Sequence, residues 1–481
     1  MSETTSGATA ARAALVALAA SVCWQVGCVP SLKDNPSREP ERHVPSSFGA
    51  DTATPQAQAT WQQFFSSPEL RALIEAALQR NQELNARLQE IIIARNEVSL
   101  RRGEYQPRVS ARAGAGVDRV GKHTSQGVSD EAHELPQNLG DFGFGLAGTW
   151  EVDVWGRLRD ATKAADLRYL ASIEARNFLV TQLVAEIARS YYELVALDNQ
   201  LEVLKKNVEV LEGALEVVKI QKEAARVTEL AVKRFEAEVL HNKARLYGLE
   251  QERVMTENRI NFLVGRYPQP VRRDAAKFKE PLPANIQAGL PSQLLDNRPD
   301  VRQAELELGA AKLDVKYTKK AFYPSLSLEA GIGYRAFNAR HLVDTPESLV
   351  GNLAGNLTAP LLNRRAIEAE YRSANARQVQ AVLGYERTLL HAYTDVANRL
   401  SQIGNLKKSF DLRAQQVDAL GQASDAAQLL FQSARADYME VLLTRRDWLD
   451  AELEMLETKK AQFQAMVDLY QVLGGGWRTQ Q

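Results

Sequence analysis

The chain has 481 residues, and its 59 Lys plus Arg stand against 60 Asp plus Glu, so a net charge of −1 gives no electrostatic case for nucleic acid as a partner. Aromatics make up only 7 %, while Ala, Leu, Glu, Gln and Arg dominate long stretches, a composition suited to long helices with a coiled-coil seam. Both cysteines, Cys23 and Cys28, fall near the start, which excludes a disulfide or a cysteine metal site from everything that follows.

In chain order the first element is a leader. Residues Ala13 to Val22, preceded by Arg12, form an apolar core too short to span a bilayer and typical of a signal peptide. It ends in QVGC (Gln25 to Cys28), which resembles a bacterial lipobox, although Gln25 stands where leucine is usual. The expectation is removal of residues 1–27 and lipid on Cys28. Val29 is not the aspartate that retains such lipoproteins in the inner membrane, which implies the outer one. Residues 28–60, rich in Pro, Ser and charge, read as a tether. No later run of about 18 apolar residues could cross a membrane as a helix.

Folding begins near Trp61. The spacing of Leu70, Leu73, Ile74, Ala77 and Leu78 predicts a helix from Pro68, and a second runs from about Asn81 to Arg102, stopping at Gly103 and Pro107. From Arg108 the period changes to two. Val109, Ala111, Ala113, Ala115 and Val117 alternate with Ser110, Arg112, Gly114, Gly116 and Asp118, a strand with one apolar and one polar face. A loop from Gly121 to Gly140 and a second alternating run to Trp155 complete a hairpin over about 106–155. A helical pattern from about Arg157 to Ala224 would extend roughly 100 Å; a return helix from about Glu229 to Leu263 closes a first repeat, 61–265. After a linker, 266–293, the second repeat (294–474) has a hairpin over about 322–362, in which Leu326, Leu328, Ala330, Ile332 and Tyr334 alternate with Ser327, Glu329, Gly331, Gly333 and Arg335. Helical patterns over about 364–432 and 440–473 follow, then a tail, 475–481. Seams at Leu230, Val232, Phe235 and Val239, and at Leu442, Leu449 and Leu456, suit antiparallel coiled coil.

The two halves are similar to each other. One offset pairs Pro107 with Pro324, Ser110 with Ser327 and Gly114 with Gly331, and runs back to Leu84 and Val301; another pairs Ala225 with Ala434, Val232 with Val441 and Gly265 with Gly474. The chain reads as a tandem duplication.

Chemistry is sparse. Gly143 to Gly148 matches G-x-G-x-x-G but lies inside an alternating strand with no helix after it, so the glycines there read as relief of crowding in a curved sheet. His123, His133 and His341 fall in the two hairpin loops and read as solvated, with a shared metal as the alternative. No catalytic, cofactor-binding or metal-ligating constellation emerges, so an enzyme is not expected. Trp150 and Trp155 near one strand end, with Phe322, Tyr323 and Tyr334 at the ends of another, suit an aromatic girdle. A lipid-facing sheet has no open edge, because unsatisfied backbone groups in hydrocarbon cost several kcal/mol each. Four strands cannot close; eight would be filled by their own side chains, whereas three chains supply twelve strands around a lumen.

RPDVRQAELELGAAKLDVKYTKKAFYPSLSL (Arg298 to Leu328), VAEIARSYYELVAL (Val184 to Leu197) and ARADYMEVL (Ala434 to Leu442) are similar to the TolC-type outer-membrane efflux channels, specifically the lipoprotein branch serving tripartite pumps, and the match runs from about Trp61 to Gly474. The resemblance implies a mixed α and β membrane protein: a homotrimer with a 12-stranded β-barrel in outer-membrane lipid, four strands per chain, continued by a periplasmic α-helical coiled-coil barrel. It further implies a passive exit duct for small molecules whose partners are a periplasmic adaptor and an inner-membrane transporter. The loops 123–135 and 337–347 would face outside the cell. Ala225, Arg226, Val227 and Thr228, with Ala434, Arg435, Ala436 and Asp437, become periplasmic tips that contact the adaptor. The sequence departs from the family pattern where Ala225 and Ala434 replace glycine and where Leu443 replaces an aspartate. The aperture is then expected at Met439 and Leu443 beside an acidic Glu440, with ordinary seam positions as the alternative for Met439 and Leu443. Two other functions fit parts of the pattern: a type I protein-secretion duct, which the lipobox and the Arg298 segment oppose, and a structural coiled-coil envelope protein, which the alternating strands oppose.

Overall fold

The computed structural model describes residues 29–33, 35–45, 60–279, 294–362, 364–433 and 435–478. The leader, Cys28, Ala434 and much of the linker lie outside them. Two compact units result, one from 1–40, 92–170 and 305–384, the other from 41–91, 171–304 and 385–481. Each sequence half contributes to both, because the hairpins gather in the first unit and the return helices in the second.

The elements are α1 (Trp61–Phe64), α2 (Pro68–Arg80), α3 (Gln82–Tyr105), β1 (Arg108–Arg119), α4 (Ser125–Ala132), β2 (Asn138–Val152), α5 (Arg157–Glu223) and α6 (Glu229–Val264), followed by α7 (Leu294–Asn297), α8 (Pro299–Lys320), β3 (Ser325–Ala336), β4 (Leu349–Thr358), α9 (Arg365–Gln432) and α10 (Tyr438–Val472). The order helix, strand, strand, very long helix, return helix occurs twice, with long helices of 67 and 68 residues. Among the described residues no helix is long and apolar enough to cross a membrane.

The first unit holds one antiparallel sheet, ordered β1-β2-β3-β4. Three details differ from the sequence expectation. The β1-β2 ladder continues to Arg119 and Asn138, so β2 starts inside the Gly-rich stretch. Between the strands lies α4, begun by Thr124, whose hydroxyl accepts from the Gly127 amide at 3.0 Å. Phe322 is no girdle residue: it is fully buried, edge-on to Tyr371 and beneath the Arg364 guanidinium, because it plugs the base of the sheet.

Part of the expected tether is also docked. Asn375 and Gln378, both buried, present their amides to the backbone of Asn35 and Arg38 at 2.6 Å each, and Ser37 donates to Asn375 Oδ1 at 2.6 Å. Side-chain amides there replace the missing strand partner, so a Pro- and Ser-rich segment acquires a fixed path without secondary structure.

In the second unit the Val184–Leu197 segment supplies the core: Val184, Ile187, Ala188, Tyr191 and Leu194 are buried with Leu70, Ile74, Ile260 and Val467. Phe64 stacks on Tyr470 at 4.0 Å and Tyr192 on Phe463 at 4.5 Å. Both return helices end in a left-handed residue, Gly265 with φ +77° and Gly474 with φ +86°. Their last carbonyls are taken by related side chains: Asn81 Nδ2 donates to Leu263 O at 2.9 Å, and Arg298 Nη1 to Val472 O at 3.1 Å. Arg298 is buried and also grips Asp300 through both oxygens at 3.0 and 2.7 Å, which accounts for the Arg-Pro-Asp signature.

Candidate functional site

The register divides the sheet into two chemically distinct faces. Val117 and Val109 on β1 lie on the side of Phe142, Phe144, Leu146 and Trp150 on β2; these pair with Ala336, Tyr334, Ile332 and Leu328 on β3, and that side continues to Leu349, Leu353 and Leu357 on β4. From Val109 to Val117 and across the strands beside them no ionisable residue other than the tyrosine phenol stands on this face; Arg119, opposite Asn138, puts a charge at its loop end, and Leu353 is 82 % and Val117 71 % exposed. The opposite face carries Ser110, Arg112 and Gly114, then Gly143, Gly145 and Ala147, then Glu329, Gly331, Gly333 and Arg335, then Asn352 and Asn356.

Glycine at the paired positions Gly145 and Gly333 is a steric requirement. A Cβ at Gly145 would lie 2.5 Å from the Ile332 carbonyl oxygen, and one at Gly333 2.4 Å from that of Phe144. The G-x-G-x-x-G match is thus a close approach of two strands.

Aromatics mark both ends of the apolar face. Trp150 Nε1 donates to Tyr105 O at 3.0 Å and Trp155 Nε1 to Pro324 O at 2.7 Å, with the Trp155 and Tyr323 rings 5.3 Å apart. At the far end Tyr334 stacks on Phe144 at 5.5 Å. An apolar band between rings with one polar edge matches a hydrocarbon layer between two interfaces.

The helical turns form the second candidate. Ala225 sits in the left-handed region with φ +53°, and the Arg226 amide donates to Gln221 O at 2.8 Å. The related Arg435 amide donates to Leu430 O, also at 2.8 Å. Thr228 and Asp437 precede α6 and α10 at matching positions, neither with a side-chain cap bond. Arg226 and Arg435 are exposed, and Val227 and Ala436 are partly covered. Across the first turn the Lys222 ammonium donates to the Glu229 carboxylate and holds it below its usual range.

On α10 the tip residues part company. Tyr438 and Leu442 pack against Leu211, Leu215, Phe235 and Val239. Met439 is half-buried, its Sδ accepting from Arg234 Nη1 at 2.9 Å, whereas Glu440 and Leu443 are exposed. Val232, Phe235 and Val239 occupy the expected seam; Leu230 does not, being 57 % exposed, because the smaller Ala231 turns into that contact. Sequence reasoning missed Arg445 one turn further on. It lies over Trp448 at 4.6 Å and donates from Nε to Asn207 at 3.1 Å, and burial pulls its guanidinium below the ordinary value. An Arg three residues before Trp on a helix face was the available signal.

The histidines stay within their own loops: His133 Nδ1 is 2.7 Å from Ser129 O and His341 Nδ1 2.8 Å from Asp344 Oδ2. Among the described residues no group of side chains could hold a metal ion.

Residues 73–266 and 290–475 match the family described as outer membrane efflux protein. The pyoverdine export outer membrane protein OpmQ of Pseudomonas aeruginosa is 28 % identical over 419 residues, 87 % of this chain and 88 % of its own. The probable outer membrane lipoprotein SilC of Salmonella typhimurium is 25 % identical over 94 % of this chain and 96 % of its own. The solved structure of the outer-membrane channel OprN superposes with a TM-score of 0.84 at 23 % identity, over 92 % of this chain and 99 % of that one.

Proposed function

The chain belongs to the outer membrane efflux protein family and is the outer-membrane duct of an efflux pump; from that premise we propose that it works as a homotrimer whose three sheets close into a 12-stranded barrel. The observation that carries this reading is the sheet face that is apolar except for Arg119 at its loop end, flanked by two edges, β1 and β4, that pair with no strand among the described residues. In hydrocarbon each open backbone group costs several kcal/mol, so the edges need partners, and a second copy offers the complementary edge. An outward stripe on α6, Leu240, Tyr247, Met255 and Phe262, each more than 60 % exposed, supports burial against a neighbouring copy. The test is mass and conductance of the purified protein: a trimer that conducts in planar bilayers is expected, and a non-conducting monomer sinks the reading.

Repeats 61–265 and 294–474, joined by the linker 266–293, each supply one hairpin and one coiled coil to this cylinder, a duplication that lets one architecture be used six times around three chains. The turns at Ala225–Thr228 and Ala434–Asp437 are the periplasmic tips where an adaptor docks, linking the duct to an inner-membrane transporter; the hairpin loops face outside. Conduction is passive. Recognition of cargo then lies in the pump, because a duct selects mainly by bore and charge.

At the tips Glu440 and Leu443 line the aperture, with Met439 set behind them against Arg234. Three carboxylates around a narrow bore favour cations. Glu440→Gln should lower cation preference, read as reversal potential in a salt gradient, with closure little changed. Leu443→Asp should add a divalent-sensitive site. Unchanged reversal potentials in Glu440→Gln would move the acidic ring elsewhere, Asp437 being next.

Removal of residues 1–27 and lipid on Cys28 complete the reading, with 28–60 leading back from the membrane; the name of the lipoprotein relative supports it. Intact mass of the membrane-extracted protein should show the truncated, acylated chain. A Cys28→Ala protein of unchanged mobility would count against lipidation, while the trimer should survive, since barrel contacts do not involve the anchor.

A further inference from the structure

On the polar sheet face one charge stands far from every opposite charge of its own face. Arg335 grips Asp141 through both carboxylate oxygens at 2.7 and 2.8 Å, and Glu151 pairs with Arg157 at 2.7 Å. Arg108 and Glu329 share a level, each aligned with Thr149. Arg112 stands apart: among the described residues nothing forms a hydrogen bond or ion pair with it. Its level across the sheet is Gly145, Gly333 and Val350, and the neighbouring positions on its face are Ser110, Gly114, Gly143 and Ala147. No side chain there shortens its reach or answers its charge. Glu329 lies two strands away and four residues along, beyond the roughly 8–10 Å over which charges act through physiological salt. Asp118 is six residues along β1, roughly 20 Å distant at about 3.4 Å per residue.

Barrel closure does not change this. β1 is an edge strand, and the edge that meets it belongs to β4 of the next copy. Leu349–Thr358 (LVGNLAGNLT) contains no ionisable residue, so in any register the adjoining strand brings no carboxylate; the next copy's Glu329 stands on β3, one strand further off.

We propose that Arg112, resting on the trimeric barrel reading above, forms a ring of three guanidiniums in the lumen that binds small anions in transit, carboxylates, phosphates or sulfonates, and gives the membrane segment an anion preference. A planar fork of fixed charge suits oxyanions, and rings of one sign set selectivity in pores. The duct then holds two opposite filters in series, acidic at the tips and basic in the barrel, and zwitterions or salts pass both with least discrimination.

The test uses the full-length protein in planar bilayers with inorganic pyrophosphate added on the loop side. Pyrophosphate should reduce the current reversibly; R112Q should raise the half-blocking concentration at least about five-fold, while R112K retains block. An R112Q channel that conducts like the parent and is blocked at the same concentration overturns the proposal while leaving the barrel intact. A parent protein that forms no trimer and no channel fails earlier: the barrel reading falls, and the ring with it. Should R112Q not assemble, the unaltered protein decides, since block must strengthen from chloride through phosphate to pyrophosphate and weaken with added salt. Block indifferent to anion charge overturns the proposal.

Discussion

Replacing Leu146 by arginine is expected to abolish the assembled channel, whereas the same replacement at its neighbour Ala147 leaves it standing. The two residues are adjacent on β2 but point to opposite faces. Leu146 aligns with Ala111 and Ile332 on the apolar side, and Ala147 with Ser110 and Gly331 on the polar one. An arginine at the lipid midplane costs about 2–4 kcal/mol in a barrel, and in the trimer proposed above that cost is incurred three times. Against a total folding stability of roughly 5–15 kcal/mol, that loss prevents assembly. On the lumen side the guanidinium stays in water beside glycine and serine and costs little. The measurement is the fraction of protein recovered from membranes as oligomer for each variant. Equal recovery, or the reverse order, would show that the lipid-facing side has been misassigned.

The second large effect concerns the helix ends, where glycine and alanine should respond with opposite signs. Gly265 combines φ +77° with a neighbour that cannot yield: a Cβ would lie 2.5 Å from the Arg80 carbonyl oxygen. The left-handed conformation alone costs a non-glycine residue about 1–2 kcal/mol, and the backbone collision adds to it, so Gly265→Ala should destabilise the protein by about 3 kcal/mol or more. Ala225, at φ +53°, already bears the conformational cost without the collision. Ala225→Gly should therefore stabilise by up to about 1 kcal/mol. Thermal unfolding of the detergent-solubilised protein, followed by loss of helical signal, reads both changes. A Gly265→Ala protein as stable as the parent would mean that the α2–α6 junction is looser than the geometry states.

Local order alone determined much of this protein. The switch from period 3.6 to period 2 at Arg108 and again at Ser325 located four strands, because alternation of side chains is a property of the strand itself and needs no partner. Two internal offsets located the second set of helices from the first, and the match to a known family named the duct. The resemblance also marked Ala225 as standing where the family has glycine, and that residue is the one in the left-handed region.

Which neighbour each face meets was decided only in the tertiary structure. Phe322 and Tyr323 are adjacent aromatics at a strand end, yet one is sealed beneath Arg364 and Tyr371 while the other meets Trp155, a distinction set by elements more than 40 residues away along the chain for Phe322. Leu230 has the composition of a seam residue and points out, because coil packing selects Ala231. The segment after Val29 reads as tether by composition, yet residues 35–38 are held by Asn375 and Gln378, polar side chains that periodicity cannot connect to it. Arg112 looked like one polar position among several; only the register of four strands sets it level with Gly145, Gly333 and Val350, with no opposite charge at that level among the described residues. Period and propensity act over one or two turns of chain, whereas burial and charge compensation depend on what long-range packing brings alongside.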